Sequence, residues 1–557
     1  MVRKVINFLN KEIGGLHEAA YLLGFFAILS QILALIRDRL LAHSFGAGTT
    51  LDLYYAAFRI PDFLFVSIAS VVSISVLIPF LMERLDKGEK EAKEFIDAIF
   101  TVFFFVIGSV AIVAFILTPW LLRLLFPVFT DDFPLLVTMT RIMLLSPIFL
   151  GFSNFLASIT QIYKRFFIYA LSPVVYNIGI IVGIVFFYPL FGVAGLAWGV
   201  GLGAFLHFFI QVPFVYQKAL FPRLNLAAQF SIIKKVVIVS LPRTLTISSN
   251  EIAKLFLISI AATVGGGAIA LFNFSWNLQS VPLSIIGVSY SLAAFPILAR
   301  LHTSGNREKF LEQMITSSKH IIFWSVPIMV LFIVLRAQIV RVILGSGNFD
   351  WSDTRLTAAG LALFTLSLIP QGITLLFVRA FYSRGDTKKP LFMNFFSAFL
   401  IIACSYMLMR VFNEVSIFRY FIETILRVED IPGSAVLMLP LGFTIGATIN
   451  MILHWISFER EFRGYSKDVL RTLFQSLGAA IIMGAVTHQF LNVFAIVFDI
   501  NTFAGIFFQG FISGILGIFV GITLLLLLRS KELTDIALTL KRRIWKAKII
   551  PTDTIQS

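Results

Sequence analysis

Several ionisable side chains fall inside long apolar stretches of this 557-residue chain: Arg37, Asp38, Arg39, Arg59, Asp62, Arg141, Arg243, Glu251 and Lys254. A charge in such a setting is costly and faces a cavity or a partner more often than lipid. Cations gathered at one place would hold an anion through charge-assisted hydrogen bonds. Plainer arrangements compete with that reading. Glu251 and Lys254 are three residues apart and can pair on one helix face. Arg37 and Asp38 can mark the end of a span, and Arg141 and Arg243 can snorkel to an interface. Arg59 and Asp62 flank Pro61, whose ring frees a backbone carbonyl. Asn273, Asn277 and Gln279 recur at helical spacing, with interhelical hydrogen bonding the first reading and substrate contact the second.

Nothing in the chain reads as catalytic. The seven histidines show no zinc spacing, Cys404 is the only cysteine, and neither a Walker loop nor a Gly-x-Ser-x-Gly elbow occurs. Asp131-Asp132 reads as a cap at a helix start. An enzyme is not expected, nor a metal or cofactor.

The elements that position these residues follow from composition. The chain is 58% hydrophobic and 13% charged, with mean hydropathy +0.91. One water-soluble core cannot absorb that much apolar side chain. The apolar residues cluster in runs of roughly 20, the length that crosses a bilayer as a helix, and lipid permits no unsatisfied backbone. The expected fold is therefore an all-α, polytopic membrane protein of about fourteen helices. The spans are 21–41, 53–81, 99–122, 135–162, 167–187, 193–216, 236–264, 269–298, 321–344, 356–381, 391–409, 435–455, 473–494 and 503–528. No short apolar core with a cleavage site follows the N-terminus, so no removable signal peptide is expected.

Lys and Arg alternate between connections. Arg84, Lys87, Lys90 and Lys93 lie in the second, Lys164 and Arg165 in the fourth, and Lys218, Arg223, Lys234 and Lys235 in the sixth. The eighth, tenth and twelfth are similarly basic, whereas the first, fifth, seventh and thirteenth carry none. Arg355 in the ninth connection and Arg410, Arg419 and Arg427 in the eleventh partly break the contrast. This pattern puts both termini in the cytoplasm. The net charge of +15, with Lys541, Arg542, Arg543, Lys546 and Lys548 near the C-terminus, then serves the inner leaflet rather than nucleic acid.

The chain also repeats itself. Pro79 to Pro296, Gly88 to Gly305, Pro173 to Pro390 and Asn177 to Asn394 are all steps of 217 residues. Gly199-x-x-x-Gly203 matches Gly442-x-x-x-Gly446 at 243, which fits an insertion around 413–432. A repeat of six spans gives two halves running the same way through the membrane, with a site between them near the midplane. The same step of 217 takes Arg37 to Lys254, so each half contributes one cation to that site.

Arg37-Asp38-x-x-x-Ala42-x-x-Phe45-Gly46-Ala47-Gly48-x-x-x-Asp52, continuing through Ala57-Phe58-Arg59-Ile60-Pro61, resembles the MurJ family of lipid II flippases, within the multidrug/oligosaccharidyl-lipid/polysaccharide (MOP) exporter superfamily. Tyr382-Ser383-Arg384-Gly385-Asp386-x-Lys388-x-Pro390 and the span layout support the likeness. The resemblance implies an N-lobe at 1–222, a C-lobe at 223–460, a lipid-facing groove formed by the helices of 461–530 and a basic cytoplasmic tail at 531–557. It implies transport of polyprenyl-diphosphate-linked peptidoglycan precursor to the outer leaflet of the bacterial inner membrane. The substrate-binding set is Arg37, Arg59, Lys254, Asp38, Glu251 and Asn277, in which Lys254 rests on the repeat alone. The family commonly has an arginine after the first-span serine, where this chain has Gln31, arginine and then Glu-Gly on the second span, where it has Phe65, Val66, Ser70 and Val71, and an arginine and a glutamate on the eighth span, where it has Asn277 and Ser280.

The expected partners are a lipid-linked sugar diphosphate and membrane lipids, with the protein a monomer. The energy source is the membrane potential or a monovalent cation. Three rivals stand beside this reading: a flippase of another lipid-linked oligosaccharide, a drug exporter of the same superfamily, and a membrane glycosyltransferase. The second calls for an acidic cavity, and the third for an acidic or metal-binding loop at the interface.

The topology gives a direct test. Alkaline phosphatase fused after residue 48 is expected to be active and after residue 88 inactive, while a C-terminal green fluorescent protein fluoresces. Activity after residue 88 would reverse the orientation.

Overall fold

A chain in lipid must close its own backbone hydrogen bonds, and the computed structural model of this protein is helical throughout, with no strand among the described residues. It describes residues 16–68, 74–225, 230–429 and 431–534. Ser70, Val71, the basic residues at 541–548 and those before residue 16 lie outside these, as do the side chains of Pro79, Lys234, Lys235 and Arg243. Among the described residues, twelve helices are long and apolar enough to cross a membrane, thirteen if one interrupted pair counts as a span. The sequence pattern gives about fourteen. The difference includes the second span, whose middle is outside the described residues.

The helices that matter for the site are α1 (Leu16–Phe45), α2 (Thr49–Ala57), α3 (Arg59–Ile68), α4 (Phe166–Val182), α5 (Ala194–Phe209), α6 (Phe230–Ala262) and α7 (Ala268–Leu283). They are followed by α8 (Arg307–Val334), α9 (Trp351–Thr365), α10 (Lys388–Glu414), α11 (Ser416–Leu426), α12 (Met438–Glu461), α13 (Tyr465–Val497) and α14 (Phe503–Leu527). Breaks have local causes. Pro61, in the first turn of α3, has no N–H for the Ala57 carbonyl, and α2 stops there. The tenth span, continuous in the sequence pattern, is interrupted after Thr365, where Pro370 leaves the Leu366 carbonyl without its helical donor. Asp132 sits at the N-cap of the helix Phe133–Met143, as the sequence suggests, but its side chain makes no capping bond.

The chain forms two compact units, Met1–Leu278 with Ile343–Leu363 and Thr387–Gly446, and Gln279–Val342 with Phe364–Asp386 and Ala447–Ser557. In the first, the repeat is visible as packing. Helix α1 lies on α4 and α6 lies on α10, pairs related by the 217-residue step. A Cβ on Gly179 would sit 2.3 Å from the Gly203 Cα, and one on Gly203 would sit 2.5 Å from the Tyr176 carbonyl oxygen, so α4 and α5 touch backbone to backbone. Gly442 and Gly446 of α12 meet Ser405 and Ile401 of α10 in the same way, each at 2.3 Å from a built Cβ. These glycines allow close packing of helices. A core of Leu77, Phe95, Phe103, Leu156 and Phe214 fills the N-terminal part of this unit.

In the second unit α13 packs on α8 and α14 on α13, around Phe310, Ile321, Phe377, Phe458 and Tyr465. Phe474, Ile481 and Phe519 are exposed on these last two helices, as lipid-facing side chains must be. The abundant phenylalanine is not all lipid-facing: Phe126, Phe272 and Phe274 are fully buried.

Replacing Gly203 with Ala forces α4 and α5 apart and is expected to cost about 1–3 kcal/mol, as overpacking does, seen as a lower melting midpoint of the purified protein in detergent. Gly478, with nothing within 4 Å of a built Cβ, is the control, and Gly478→Ala should melt no lower than the parent.

Candidate functional site

Arg37 and Asp38 lie on α1, eight residues before its end at Phe45, and Lys254 lies on α6, eight residues before its end at Ala262. At 1.5 Å per residue each cation is about 12 Å inside its helix. The repeat therefore relates the helix ends as well as the charged residues.

Asp38 is the hub of one cluster. It is 3% exposed. Its Oδ1 accepts from Arg37 Nε at 3.0 Å and Nη2 at 2.8 Å, and its Oδ2 accepts from Asn277 Nδ2 at 3.0 Å. Arg37 Nη1 donates onward to Asn177 Oδ1 on α4 at 3.2 Å, and Asn177 Nδ2 donates to Ser30 Oγ at 3.2 Å. Three helices, α1, α4 and α7, are thus tied by one polar chain. Arg59 is the hub of the other cluster. It is buried, donates from Nε to the Tyr55 carbonyl at 2.9 Å, and stands 3.5 Å from Asp62. The Lys254 ammonium lies over the Trp276 ring, 5.3 Å from its centroid, within electrostatic reach of Arg59, Asp62 and Glu251. Trp276 and Asn277 are neighbours on α7, so that helix borders both clusters.

The structure brings Arg37, Asp38 and Asn277 together in one cluster, and Arg59, Lys254 and Glu251 together with Asp62 in the other. The sequence reading expected paired cations facing an anion. Three cations are present among three carboxylates, so the set is formally neutral; Arg37 pairs with Asp38, and the two lie within α1 rather than marking its end. Of the remaining intramembrane charges, Arg141 donates to the Phe115 carbonyl at 3.2 Å and stacks on that ring, and Arg39 donates to the Ile343 carbonyl at 3.2 Å. Asn273 bonds within its own helix, and Gln279 is buried with both amide atoms unpartnered among the described residues. Sequence reasoning used Asn177 only as a repeat marker and gave Trp276 no role. An amide four residues after a mid-helix proline was the available signal for the first.

A second constellation closes one end of this unit. The turn after α1 carries Gly46 at φ +61°, and a Cβ there would lie 2.5 Å from the Asn348 carbonyl oxygen. The Ala47 N–H donates to Asp353 at 3.0 Å, and the Asn348 N–H to the His43 carbonyl at 3.0 Å. Asp52, 2% exposed, accepts from the Gly267 N–H at 2.6 Å and the Ala270 N–H at 2.8 Å. It therefore caps the N-terminus of α7 from another part of the chain, where a carboxylate is favoured by the free donors and the helix dipole. Gly267, at φ +90°, leaves room for the Ala47 carbonyl, 2.0 Å from where a Cβ would stand. Asp52 was visible in the motif, but nothing in sequence pointed to a partner 215 residues away.

The fold is that of a helical multi-pass membrane protein, and comparison with solved structures finds it among transporters. The structure superposes on a lipid II flippase MurJ in an inward closed conformation with a TM-score of 0.70 at 20% identity, covering 93% of this chain and all of that one. It superposes on an inward-facing multidrug resistance MATE family transporter of the MOP superfamily at 0.64, covering 78% and 96%. A family model described as lipid II flippase MurJ matches residues 41–417, and the chain belongs to that family. Among its relatives, the lipid II flippase MurJ of Burkholderia cenocepacia is 26% identical over 476 residues, 83% of this chain and 88% of that one. A probable lipid II flippase MurJ of Buchnera aphidicola subsp. Schizaphis graminum is 26% identical over 497 residues, 87% and 91%.

The Asp38 network predicts non-additive losses. Asp38→Ala strands Arg37 and Asn277 and should lower stability in detergent by about 1–3 kcal/mol. Asn277→Ala should lower it less, and the double substitution should fall short of the sum. Strict additivity in a thermal-melt cycle would show that the 3.0 Å contact carries no energy.

Proposed function

We propose that this chain carries lipid II, a polyprenyl-diphosphate-linked peptidoglycan precursor, from the inner to the outer leaflet of a bacterial cytoplasmic membrane by alternating access. The observation that carries the proposal is the placing of Arg37, Arg59 and Lys254, from α1, α3 and α6, among the carboxylates Asp38, Asp62 and Glu251 within the apolar spans. Family membership supplies the substrate class.

In this reading the lobes are residues 1–222 and 223–460, and the helices of 461–530 hold the prenyl tail in a groove open to lipid. The two phosphates compete with Asp38, Asp62 and Glu251 for the cations. The carboxylates then keep the empty site neutral, and the diphosphate gains charge-assisted bonds on arrival. Because the protein's own acids can reclaim the cations, release need not be slow. The closed constellation around Asp52 is the periplasmic gate, both termini are cytoplasmic, and one copy suffices. The membrane potential acts on any net charge that moves, about 2.3 kcal/mol per charge per 100 mV, and a monovalent cation is the alternative energy source.

One observation favours a second reading, transport of a different lipid-linked oligosaccharide. Asn277 stands where the family commonly has arginine, and its amide satisfies Asp38 without adding charge.

Expression in a strain depleted of its own lipid II flippase tests both. Rescue by the parent chain, lost on Arg37→Ala or Lys254→Ala at normal membrane levels, is the expected result. Rescue that survives both substitutions would remove the anion site and leave the family assignment standing. Failure of the well-expressed parent would favour the second substrate.

A further inference from the structure

Helix α11, Ser416–Leu426, belongs to the stretch by which the second repeat exceeds the first, and neither the site nor the gate uses it. Eleven residues are about 16 Å of helix, too short to cross roughly 30 Å of hydrocarbon. Helix α10 immediately precedes it, separated by the extended residue Val415 at φ −110°, ψ 96°. With 27 residues, α10 is about 40 Å long and uses the full bilayer thickness by itself. Its first turn carries Lys388 and Lys389, and Arg410 and Glu414 lie within its last five residues, so both ends reach headgroup level. Helix α11 therefore begins at a membrane surface.

Its faces are inverted relative to a helix in water. Ile417, Tyr420, Phe421 and Ile425 are 83%, 63%, 60% and 57% exposed. At 100° per residue they occupy one arc of about 140°, the pattern of a strongly amphipathic helix. The opposite side holds Glu423 and Leu426, 3% and 7% exposed. Glu423 is fixed by Arg419 Nε at 3.1 Å and Ser434 Oγ at 2.7 Å, and the Arg427 carbonyl at the end of the helix accepts from Arg355 Nε at 2.9 Å. The polar contacts thus anchor the helix to its unit, and the apolar arc is presented outward. On α10, which leads directly into this helix, Phe399, Tyr406 and Met407 are exposed as well. Arg410 and Arg427 stand before and after the helix, Arg419 lies on the side of Glu423, and all three are exposed.

We propose that α11 lies in the membrane interface as a lipid-binding foot, with Ile417, Tyr420, Phe421 and Ile425 in the acyl boundary and Arg410 and Arg427 against lipid phosphates. The occupant of the apolar face is the bilayer itself: the helix follows directly on one long enough to span the hydrocarbon, it begins where that span ends, and the arginines at its two ends complement anionic headgroups. The inference does not depend on which substrate the protein carries.

The single cysteine makes the test direct. In a Cys404→Ser background, nitroxide labels at Ile417→Cys and Phe421→Cys are read in nanodiscs of phosphatidylethanolamine and phosphatidylglycerol, using oxygen and a water-soluble nickel chelate as relaxers. Oxygen access exceeding nickel access at both sites, with Asn413→Cys showing the reverse, is the expected result. Dominant nickel access at 417 and 421 would mean a water-facing helix, and exclusion of both relaxers would mean a second copy or another protein covers it. Either outcome overturns the proposal. With Cys404 retained, Tyr420→Trp should add fluorescence that brominated acyl chains quench beyond the parent's background. Quenching by aqueous iodide instead would also overturn it.

Discussion

An aspartate carboxylate that is 3% exposed inside an apolar helix must receive hydrogen bonds at both oxygens or lose its charge. Asp38 receives them from Arg37 on its own helix and from Asn277 on α7, and Arg37 donates from Nη1 to Asn177 of α4. One buried acid thereby fixes the spacing of three helices. The neighbouring cluster of Arg59, Asp62, Glu251 and Lys254 follows the same rule, each cation lying beside an acid. Under the proposed function, such a site is neutral at rest yet holds three cations that an incoming anion engages by exchange rather than by filling an empty, repulsive hole.

What could be read in the sequence was what lipid dictates. The apolar runs had to be helices, and helices they are. The repeat has an echo in the packing: α1 lies on α4 as α6 lies on α10, at the step of 217, and the glycines of α5 are matched in α12, at the step of 243. It also led to Lys254, which no family motif marks. Contacts that depend on where distant turns meet stayed hidden. Asp52 and Gly267 are remote in sequence, and nothing in either neighbourhood names the other. The carboxylate partners were underweighted for a related reason. Periodicity places Arg37 and Asp38 on one helix, but only the approach of α7 decides that Asp38 faces inward.

The interruptions of the helices were legible as residue types and not as consequences. Pro61 and Pro370 announce missing donors, yet whether a span bends or parts depends on its neighbours. The insertion before α12 was visible as a change of offset from 217 to 243. Its content, a short helix with its ion pair inside and its aromatic residues outside, became intelligible only once Glu423 was seen buried against Ser434.

The capping of α7 by Asp52 carries a further consequence for how a gate of this kind can work. A cap held by another segment is removed whenever that segment withdraws, so separation at this point would uncover the first-turn amides and the positive pole of the α7 dipole together. The lost cap is worth about 0.5–2 kcal/mol, small enough for thermal motion to supply. The newly bared amides are the donors that bind phosphate at helix N-termini in unrelated proteins. The bolt that seals the doorway would thus, on sliding back, leave behind an electropositive sill over which a departing diphosphate can pass.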